Sequence, residues 1–279
     1  MTVLFYILNV ACSAGQSTLS KQYASRGGNA NVYNINKSLI GLLSFLVAGL
    51  CTGIRFHLPT MLLGIGYGAF FSVSNYAGFT ALSLGPMALT SIIASFSLII
   101  PFLVGITLWG ETLTVWGTLG IVLLVSSILM LNYRKSNDRL SLKWTVFTLL
   151  TFASNGICSL IQKQHQLLYP GRFRTEFMIC AMACMLVVLF VVISARKEVK
   201  ATLTFCPQGS TAGFLEAVAN YIVLFLAATQ NASVLFPVVS VAKILVVWVI
   251  GRIAFQEKTR FLQALGLVAG IAAILLLNL

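Results

Sequence analysis

The sequence predicts an all-α membrane protein of ten transmembrane helices, arranged as two inverted five-helix repeats. Three observations lead to this prediction: the composition, the number of apolar segments and an internal repeat. Of the 279 residues, 58% are hydrophobic and only 9% are charged, and the mean hydropathy is +0.95. Because a typical soluble domain contains about 25% charged residues, this chain cannot cover its apolar surface in water, and lipid is its expected solvent.

Ten apolar segments are long enough to cross a bilayer, which takes about 20 residues per helix. In order along the chain they are 2–23, 32–53, 60–83, 87–108, 112–132, 142–163, 174–195, 208–229, 232–251 and 259–279. The connections between them are short, and the longest basic connection follows the fifth segment. We therefore predict a first five-span repeat over 1–133, a linker over 134–141 and a second repeat over 142–279.

The second half of the chain repeats the first at an offset of about 146 residues. Glu111 is matched by Glu257 at this offset, and Asn75 is matched by Asn220 at nearly the same offset. Because each half has five spans, an odd number, the second half must enter the membrane in the opposite sense. Inverted repeats of this kind are common in secondary transporters, whose binding site lies between the repeats.

Lysine and arginine concentrate in the odd-numbered connections, which contain twelve of them against four in the even-numbered ones. The positive-inside rule therefore predicts odd connections in the cytoplasm and both termini outside, in a multi-pass protein of a bacterial plasma membrane. The net charge of +12 is then a sign of topology, and nucleic acid is not an expected partner. The twelve are Lys21, Arg26, Arg134, Lys135, Arg139, Lys143, Arg196, Lys197, Lys200, Arg252, Lys258 and Arg260, and the four are Arg55, Lys163, Arg172 and Arg174.

The residue types that usually carry catalysis or bind metals are few and scattered. The six cysteines form no CxxC pair, and Cys180 and Cys184, which share a helix face, are predicted to be small packing residues. The histidines, His57 and His165, lie near span ends, and neither a GxSxG nor an HExxH motif occurs. The sequence therefore argues against an enzyme and predicts no cofactor and no bound metal.

The motifs at the repeated positions resemble those of the drug/metabolite transporter superfamily, in its ten-span EamA-like branch. The Gly110-Glu111 turn has the form that ends the fourth span in this family, whereas the second copy departs from it as Gln256-Glu257. Lys37 stands where the family has a basic residue in its second span. The resemblance covers nearly the whole chain. It implies a transporter whose central cavity is lined by both halves, for substrates that range from amino acids and sugars to amines and drugs.

Three charged residues lie at membrane depth, at least five residues inside a predicted span: Lys37, Glu216 and Lys243. A charge at the centre of a membrane helix costs about 2.5–3.5 kcal/mol on insertion scales, so such residues face a partner or a cavity. Glu216 and Lys243 have similar depths in adjacent antiparallel spans. They form either an ion pair that clamps the hairpin or a substrate-binding or proton-binding site. Lys37 is shallow enough to snorkel to the membrane surface or to join that site.

Uncharged polar residues follow single helix faces and complete a candidate lining. For each of them the alternative role is an ordinary hydrogen bond between helices, worth about 0.6 kcal/mol on average. The candidates for substrate binding beside the three charged residues are Ser13, Gln16, Asn75, Tyr76, Asn155, Asn220, Tyr221 and Ser240. Gln162 lies on the same polar face of span six as Asn155.

Proline and glycine mark positions of bending and close packing. Pro101 and Pro237 lie inside spans four and nine, where a kink could serve as a gating hinge. Gly64, Gly66 and Gly68 predict close helix packing in span three. The GxxxG of Gly266 and Gly270 predicts either internal packing or a dimer contact, which leaves a monomer or a weak homodimer open.

The sequence thus favours a secondary active transporter that moves a small polar metabolite by alternating access. An amino-acid-like zwitterion or an organic anion fits best, because Lys37 and Lys243 outnumber Glu216. One alternative is a proton-coupled exporter of amines or drugs, with Glu216 as the proton site. The other is a membrane subunit that transports nothing. The expected partners are the small-molecule substrate and membrane lipid.

Overall fold

The computed structural model describes residues 2–55, 57–84, 93–94, 96–112, 114–131, 141–195, 204–255 and 261–277, and within them every regular element is helical. The predicted linker before Ser141 and the second-half turn around Glu257 lie outside the described residues. The helices are α1 (Thr2–Ser25), α2 (Ala30–Thr52), α3 (Leu58–Leu84), α4 (Ile99–Thr107, preceded by a 3-10 turn at Phe96–Leu98), α5 (Val115–Leu131), α6 (Leu142–Leu168), α7 (Arg174–Ala195), α8 (Pro207–Ala227), α9 (Ala232–Phe255) and α10 (Phe261–Leu277).

Each predicted apolar segment overlaps one of these helices, and local capping residues set several of the ends. The side chain of Asn29 accepts a hydrogen bond from the backbone N–H of Asn31 at the start of α2, and Gly53 ends that helix with φ +80°. Pro207 occupies the first turn of α8, where its missing N–H costs nothing. Sequence-local chemistry therefore fixes these boundaries.

The helices present large apolar side chains on their outer surfaces. Val3, Ile7 and Leu50 are 70%, 62% and 78% exposed. Within the part of the chain that the structure describes, four helices, α2, α6, α7 and α8, are long and apolar enough to span a bilayer. An apolar exterior on long apolar helices is the character of a membrane protein, in which lipid covers the surface that water would otherwise contact.

The chain divides into two compact units that interleave in sequence. The first unit is Met1–Tyr76 with Ile161–Thr229, and the second is Ala77–Leu160 with Gln230–Leu279. Each unit contains segments from both predicted repeats. Compactness and sequence repetition therefore follow different boundaries, and the proposed repeat limits remain a prediction.

Glycine pairs bring helices of the first unit close together. In α8, a Cβ on Gly209 would lie 2.8 Å from the Tyr33 carbonyl oxygen, and one on Gly213 would meet the carbonyl of Lys37, so that α2 packs against the bare backbone of α8. The approach is the small-xxx-small packing of membrane helices. It brings the Lys37 side chain to the surface of α8.

The predicted close packing of α3 is confirmed for Gly64 and Gly68. A Cβ on Gly64 would lie 2.6 Å from the carbonyl oxygen of Phe177 in α7, and one on Gly68 would meet the carbonyl of Ala181. A Cβ on Gly64 would also lie 2.9 Å from the Cβ of Cys180, and one on Gly68 would lie 2.8 Å from that of Cys184, so these cysteines pack against α3, as predicted. Gly66 was expected to behave likewise, but it lies on another face of the helix. A Cβ there would approach only Ile161, at 4.0 Å.

In the second unit α5 packs against α10, and α4 and α10 pack against α9. The hydroxyl of Ser127 in α5 donates to the carbonyl of Gly266 in α10 at 2.6 Å, and a Cβ on Gly270 would lie 2.6 Å from the same hydroxyl. The GxxxG of α10 therefore serves internal packing against α5.

The turn after α4 is tied to the start of α9. Glu111 Oε1 accepts the backbone N–H of Ala232 at 2.7 Å, and Oε2 accepts that of Ser233 at 2.8 Å. The first N–H groups of a helix have no partner within the helix, and the helix dipole favours a negative charge there. The Gly110-Glu111 turn found in the sequence is thus a cap, with Gly110 at φ +65° turning the chain.

Candidate functional site

An ion pair lies buried in the first unit. Lys37 Nζ in α2 is 2.6 Å from Glu216 Oε1 in α8, and the two side chains are only 3% and 6% exposed. Two charges removed from water lose several kcal/mol of solvation each, by order of magnitude, unless they are paired and hydrogen-bonded. The contact exists because Gly213, one turn before Glu216, lets the Lys37 backbone approach α8 closely.

Two amide side chains and one aromatic ring surround the pair. Gln16 Nε2 in α1 donates to Glu216 Oε1 at 2.7 Å, and Lys37 Nζ donates to Asn75 Oδ1 in α3 at 3.0 Å. The ammonium also lies 5.8 Å from the centre of the Phe71 ring, within the range of a cation–π contact. Asn75 is held in place by its own bond to the Phe71 carbonyl, at 2.9 Å.

A second group of hydrogen bonds continues from Glu216 along α8. Asn220 Nδ2 donates to the backbone carbonyl of Glu216 at 3.1 Å, which leaves Asn220 Oδ1 as an acceptor. Tyr67 in α3 donates to that oxygen at 3.1 Å, and Gln162 in α6 donates to it at 3.2 Å. The resulting polar cluster draws side chains from α1, α2, α3, α6 and α8, and therefore from both sequence halves.

Five of the predicted site residues meet in this cluster: Lys37, Glu216, Gln16, Asn75 and Asn220. Of the two roles that the sequence left open for Lys37, snorkelling is excluded, since its side chain is 3% exposed and bonded on two sides. Because the Lys37 ammonium is buried beside Glu216, it belongs to the site. The polar faces of the predicted helices identified these five residues, but they did not show that the residues meet in one cluster.

The carboxylate of Glu216 is paired with Lys37, a partner that the sequence did not single out, since a pair with Lys243 was one of the two roles considered for Glu216. The reason is the packing of α8, whose glycine face admits α2 and brings its lysine to the carboxylate. Adjacency in sequence was therefore a poor guide to the partner. Lys243 is half-buried in α9, within the second unit.

Other predicted site residues have different surroundings. In the first unit, the Ser13 carbonyl accepts the Ser17 hydroxyl at 2.9 Å, the Tyr221 ring lies 6.5 Å from that of Phe45, and Tyr76 is half-buried. The remaining four belong to the second unit. The carbonyl of Asn155 accepts the Ser159 hydroxyl at 3.1 Å, and Pro101 is buried in α4. Ser240 and Pro237 lie in α9. Their roles in binding or gating stay predictions.

Two members of the cluster were missed by the sequence analysis, Tyr67 and Phe71. A usable signal was present, because Tyr67, Phe71 and Asn75 recur every four residues and so share one face of α3. The rings of Tyr67 and Phe71 stack with centres 5.3 Å apart. Aromatic residues in a membrane helix usually pack against other helices or contact lipid, so the pattern was not recognised as part of a polar site.

A second polar group surrounds His165, which is fully buried near the end of α6. Gln166 accepts hydrogen bonds through Oε1 from Gly171 N–H and Arg174 Nε, so its amide nitrogen faces His165 Nδ1 at 2.8 Å. Phe173, at φ +53°, stacks on His57 with centres 5.0 Å apart. These contacts hold the turn between α6 and α7. Within the described part of the chain, no three His, Cys, Asp or Glu side chains form a group that could hold a metal.

Comparison with known proteins establishes the fold of this chain. No protein-family model and no curated protein matches the sequence. A crystal structure of another protein is similar over 99% of this chain and 95% of its own, with a TM-score of 0.75 and 16% sequence identity. A likeness at this identity shows that the fold is one already found by experiment. Activity and substrate must come from the residues of the site.

Proposed function

We propose that this protein is a secondary active transporter for a small polar metabolite. The observation that carries the proposal is the buried ion pair between Lys37 and Glu216, 2.6 Å apart within an all-helical protein with an apolar exterior. Ionisable residues at membrane depth mark substrate and ion pathways in membrane proteins. A scaffold subunit would have no use for such a pair, since apolar residues of similar volume pack there at lower cost.

The proposal includes ten spans in two inverted repeats, and the packing supports it. Gly64 and Gly68 of α3 stand at the same sequence offset from Gly209 and Gly213 of α8 as Asn75 does from Asn220. Each glycine pair admits the second helix of the opposite half, α7 and α2 respectively. In addition α2 packs on α7, α4 on α9 and α5 on α10, which pairs equivalent helices of the two halves. A two-fold pseudosymmetry produces this pattern.

The mechanism that follows is alternating access around the polar cluster. The cluster joins α1, α2 and α3 of the first half to α6 and α8 of the second, so a relative movement of the halves changes these contacts. Binding a polar solute would replace part of this network and make the change in conformation less costly. Odd-numbered connections face the cytoplasm of a bacterial cell in this proposal.

The alternative function is a proton-coupled exporter of amines or drugs. Glu216 is a buried carboxylate, which is the observation that favours it. The ammonium of Lys37 argues against it, because a cationic substrate would have to approach a site that already contains a cation. We therefore place it second.

The test is solute exchange by purified protein in liposomes. Vesicles loaded with unlabelled mixtures of common L-amino acids, short organic acids or amines would be diluted into traces of the same solutes in labelled form. Wild-type protein is expected to accumulate label from at least one mixture, and Lys37→Met with Glu216→Met is expected to abolish it. Glu176→Gln is the matched control, since among the described residues this buried carboxylate accepts one hydrogen bond, from the backbone N–H of Arg55 at 3.0 Å. Absence of exchange from every mixture would reject the proposed function.

A further inference from the structure

The ion pair is not saturated with hydrogen bonds from the described residues. Among the described residues, Lys37 Nζ has two acceptors, Glu216 Oε1 and Asn75 Oδ1, although an ammonium has three N–H groups. The Phe71 ring lies on another side of it. The two side-chain contacts of the Glu216 carboxylate, from Lys37 and Gln16, both end on Oε1, and none from the described residues reaches Oε2. Contacts from the described residues therefore leave one N–H group of Lys37 and one oxygen of Glu216 available to a ligand.

The charge of the cluster selects among ligands. Lys37 and Glu216 contribute one positive and one negative charge, and the other described side chains in contact with them are neutral. An anion or a cation entering the cluster would leave one uncompensated charge at low dielectric, whereas a ligand with both charges would leave none.

We propose that the ligand is a zwitterion with an ammonium and a carboxylate group, and that it binds by separating Lys37 from Glu216. The ligand carboxylate accepts from Lys37 and from Gln16, which lose Glu216 Oε1 as their acceptor. The ligand ammonium donates to both oxygens of Glu216. Each protein charge exchanges its protein partner for a ligand partner, so the pair acts as an internal substitute for the ligand. This inference rests on the proposed transport function and narrows its substrate.

The ligand class can be tested with probes that differ by one charge. Purified full-length protein would be titrated with the common L-amino acids, and the tightest one would be compared with its N-acetyl and methyl ester derivatives. The first derivative lacks the ammonium charge and the second lacks the carboxylate charge. The amino acid is expected to bind more tightly than either derivative by about tenfold or more, since a charged hydrogen bond is lost.

Variants assign each end of the ligand to a residue. In Glu216→Gln the ratio of the affinities for the amino acid and its N-acetyl derivative is expected to fall by about tenfold. The same variant is expected to keep binding the amino acid more tightly than its methyl ester. Lys37→Gln is expected to do the opposite. Because either variant leaves one buried charge, Lys37→Gln with Glu216→Gln is included as a form with no unpaired charge, and it is expected to lose both preferences. Glu176→Gln is expected to keep both.

The exchange assay separates this inference from the proposed function. Exchange of amino acids by the wild-type protein, with derivatives excluded, supports both. Exchange confined to organic anions or to amines would overturn the zwitterion while leaving a transporter. Equal binding of the N-acetyl derivative and the amino acid, or preferences unchanged in the double variant, would also overturn it. A protein that exchanges no solute from any mixture fails at the level of the proposed function.

Discussion

At the scale of single residues, the geometry of the site depends on which lysine pairs with the Glu216 carboxylate. The sequence supplied Lys37, Glu216 and Lys243 as costly intramembrane charges, and the cost follows from residue type alone. Their pairing followed from something a single sequence displays poorly, the close approach of α2 to α8. Gln16, Asn75 and Asn220 were predictable as polar positions on helix faces. Tyr67 and Phe71 were not, because their rings suit both lipid and a binding site.

The ion pair predicts a strongly coupled double-variant cycle. Lys37→Met and Glu216→Met each leave one buried charge without its partner, so each is expected to destabilise the protein by about 3–5 kcal/mol. The two together leave no charge and are expected to cost much less than the sum. Thermal unfolding in one detergent, followed by the loss of monodisperse protein, measures all four forms.

Additivity of the two single effects would contradict this prediction, since it would mean that the two side chains do not share one energetic contact. Glu176→Gln again provides the comparison. Its retained amide oxygen still accepts the backbone N–H of Arg55, so its melting temperature is expected to stay close to that of the wild type.

At the scale of helices, the spacing between α2 and α8 determines the geometry of the site. Gly213 is expected to be intolerant of a side chain, because a Cβ would meet the Lys37 backbone. Gly213→Ala should force the helices apart at a cost of about 1–3 kcal/mol, and should weaken ligand binding as the ion pair loosens. Thermal unfolding and ligand titration of the same preparations measure the two effects.

Gly66→Ala is the matched control for this prediction. Its Cβ would find only Ile161 nearby, at 4.0 Å, and alanine is about 0.5–1 kcal/mol better than glycine inside a helix. The control is therefore expected to be neutral or slightly stabilising with unchanged binding. A Gly213→Ala protein as stable as the Gly66→Ala protein would show that the close approach is dispensable.

The helices themselves were largely predictable from the sequence. Apolar runs of membrane length place α2 at 30–52 against a predicted 32–53, and α7 at the predicted 174–195. Such runs report burial in lipid directly. The α6 helix extends to Leu168, beyond the predicted end at 163, because Lys163 is buried and bonds to the Ala227 carbonyl at 3.2 Å. A charge satisfied within the protein does not end a helix, and hydropathy alone cannot recognise that case.

At the scale of the whole molecule, the division into compact units could not be read from the repeat. Repetition in sequence reflects equivalent positions, whereas compactness depends on which equivalent helices pack together. Asn9 of α1, for example, donates to the carbonyl of Ala219 in α8 at 2.7 Å, across the two halves. Contacts at such long separation carry no signature in a single sequence.

The orientation proposed for the whole molecule predicts the labelling of two cysteines. Cys51 is exposed at the end of α2, on the predicted outer side. A maleimide that cannot cross membranes should label it in intact bacterial cells, and should not do so in Cys51→Ser. A cysteine introduced as Ser141→Cys in the Cys51→Ser background lies on the predicted cytoplasmic side. It should react only after the cells are made permeable, and the reverse pattern would mean the opposite orientation.

The cap on α9 has a consequence for the order in which the protein is made. Glu111 emerges from the ribosome 121 residues before Ala232, whose N–H it accepts. Glu216 is likewise synthesised long after Lys37. During translation, then, the first half waits in the membrane with a carboxylate and an ammonium that have no final partner. Neither compact unit can close until the second half is inserted, so a chain that stops early leaves both charges without their final partners.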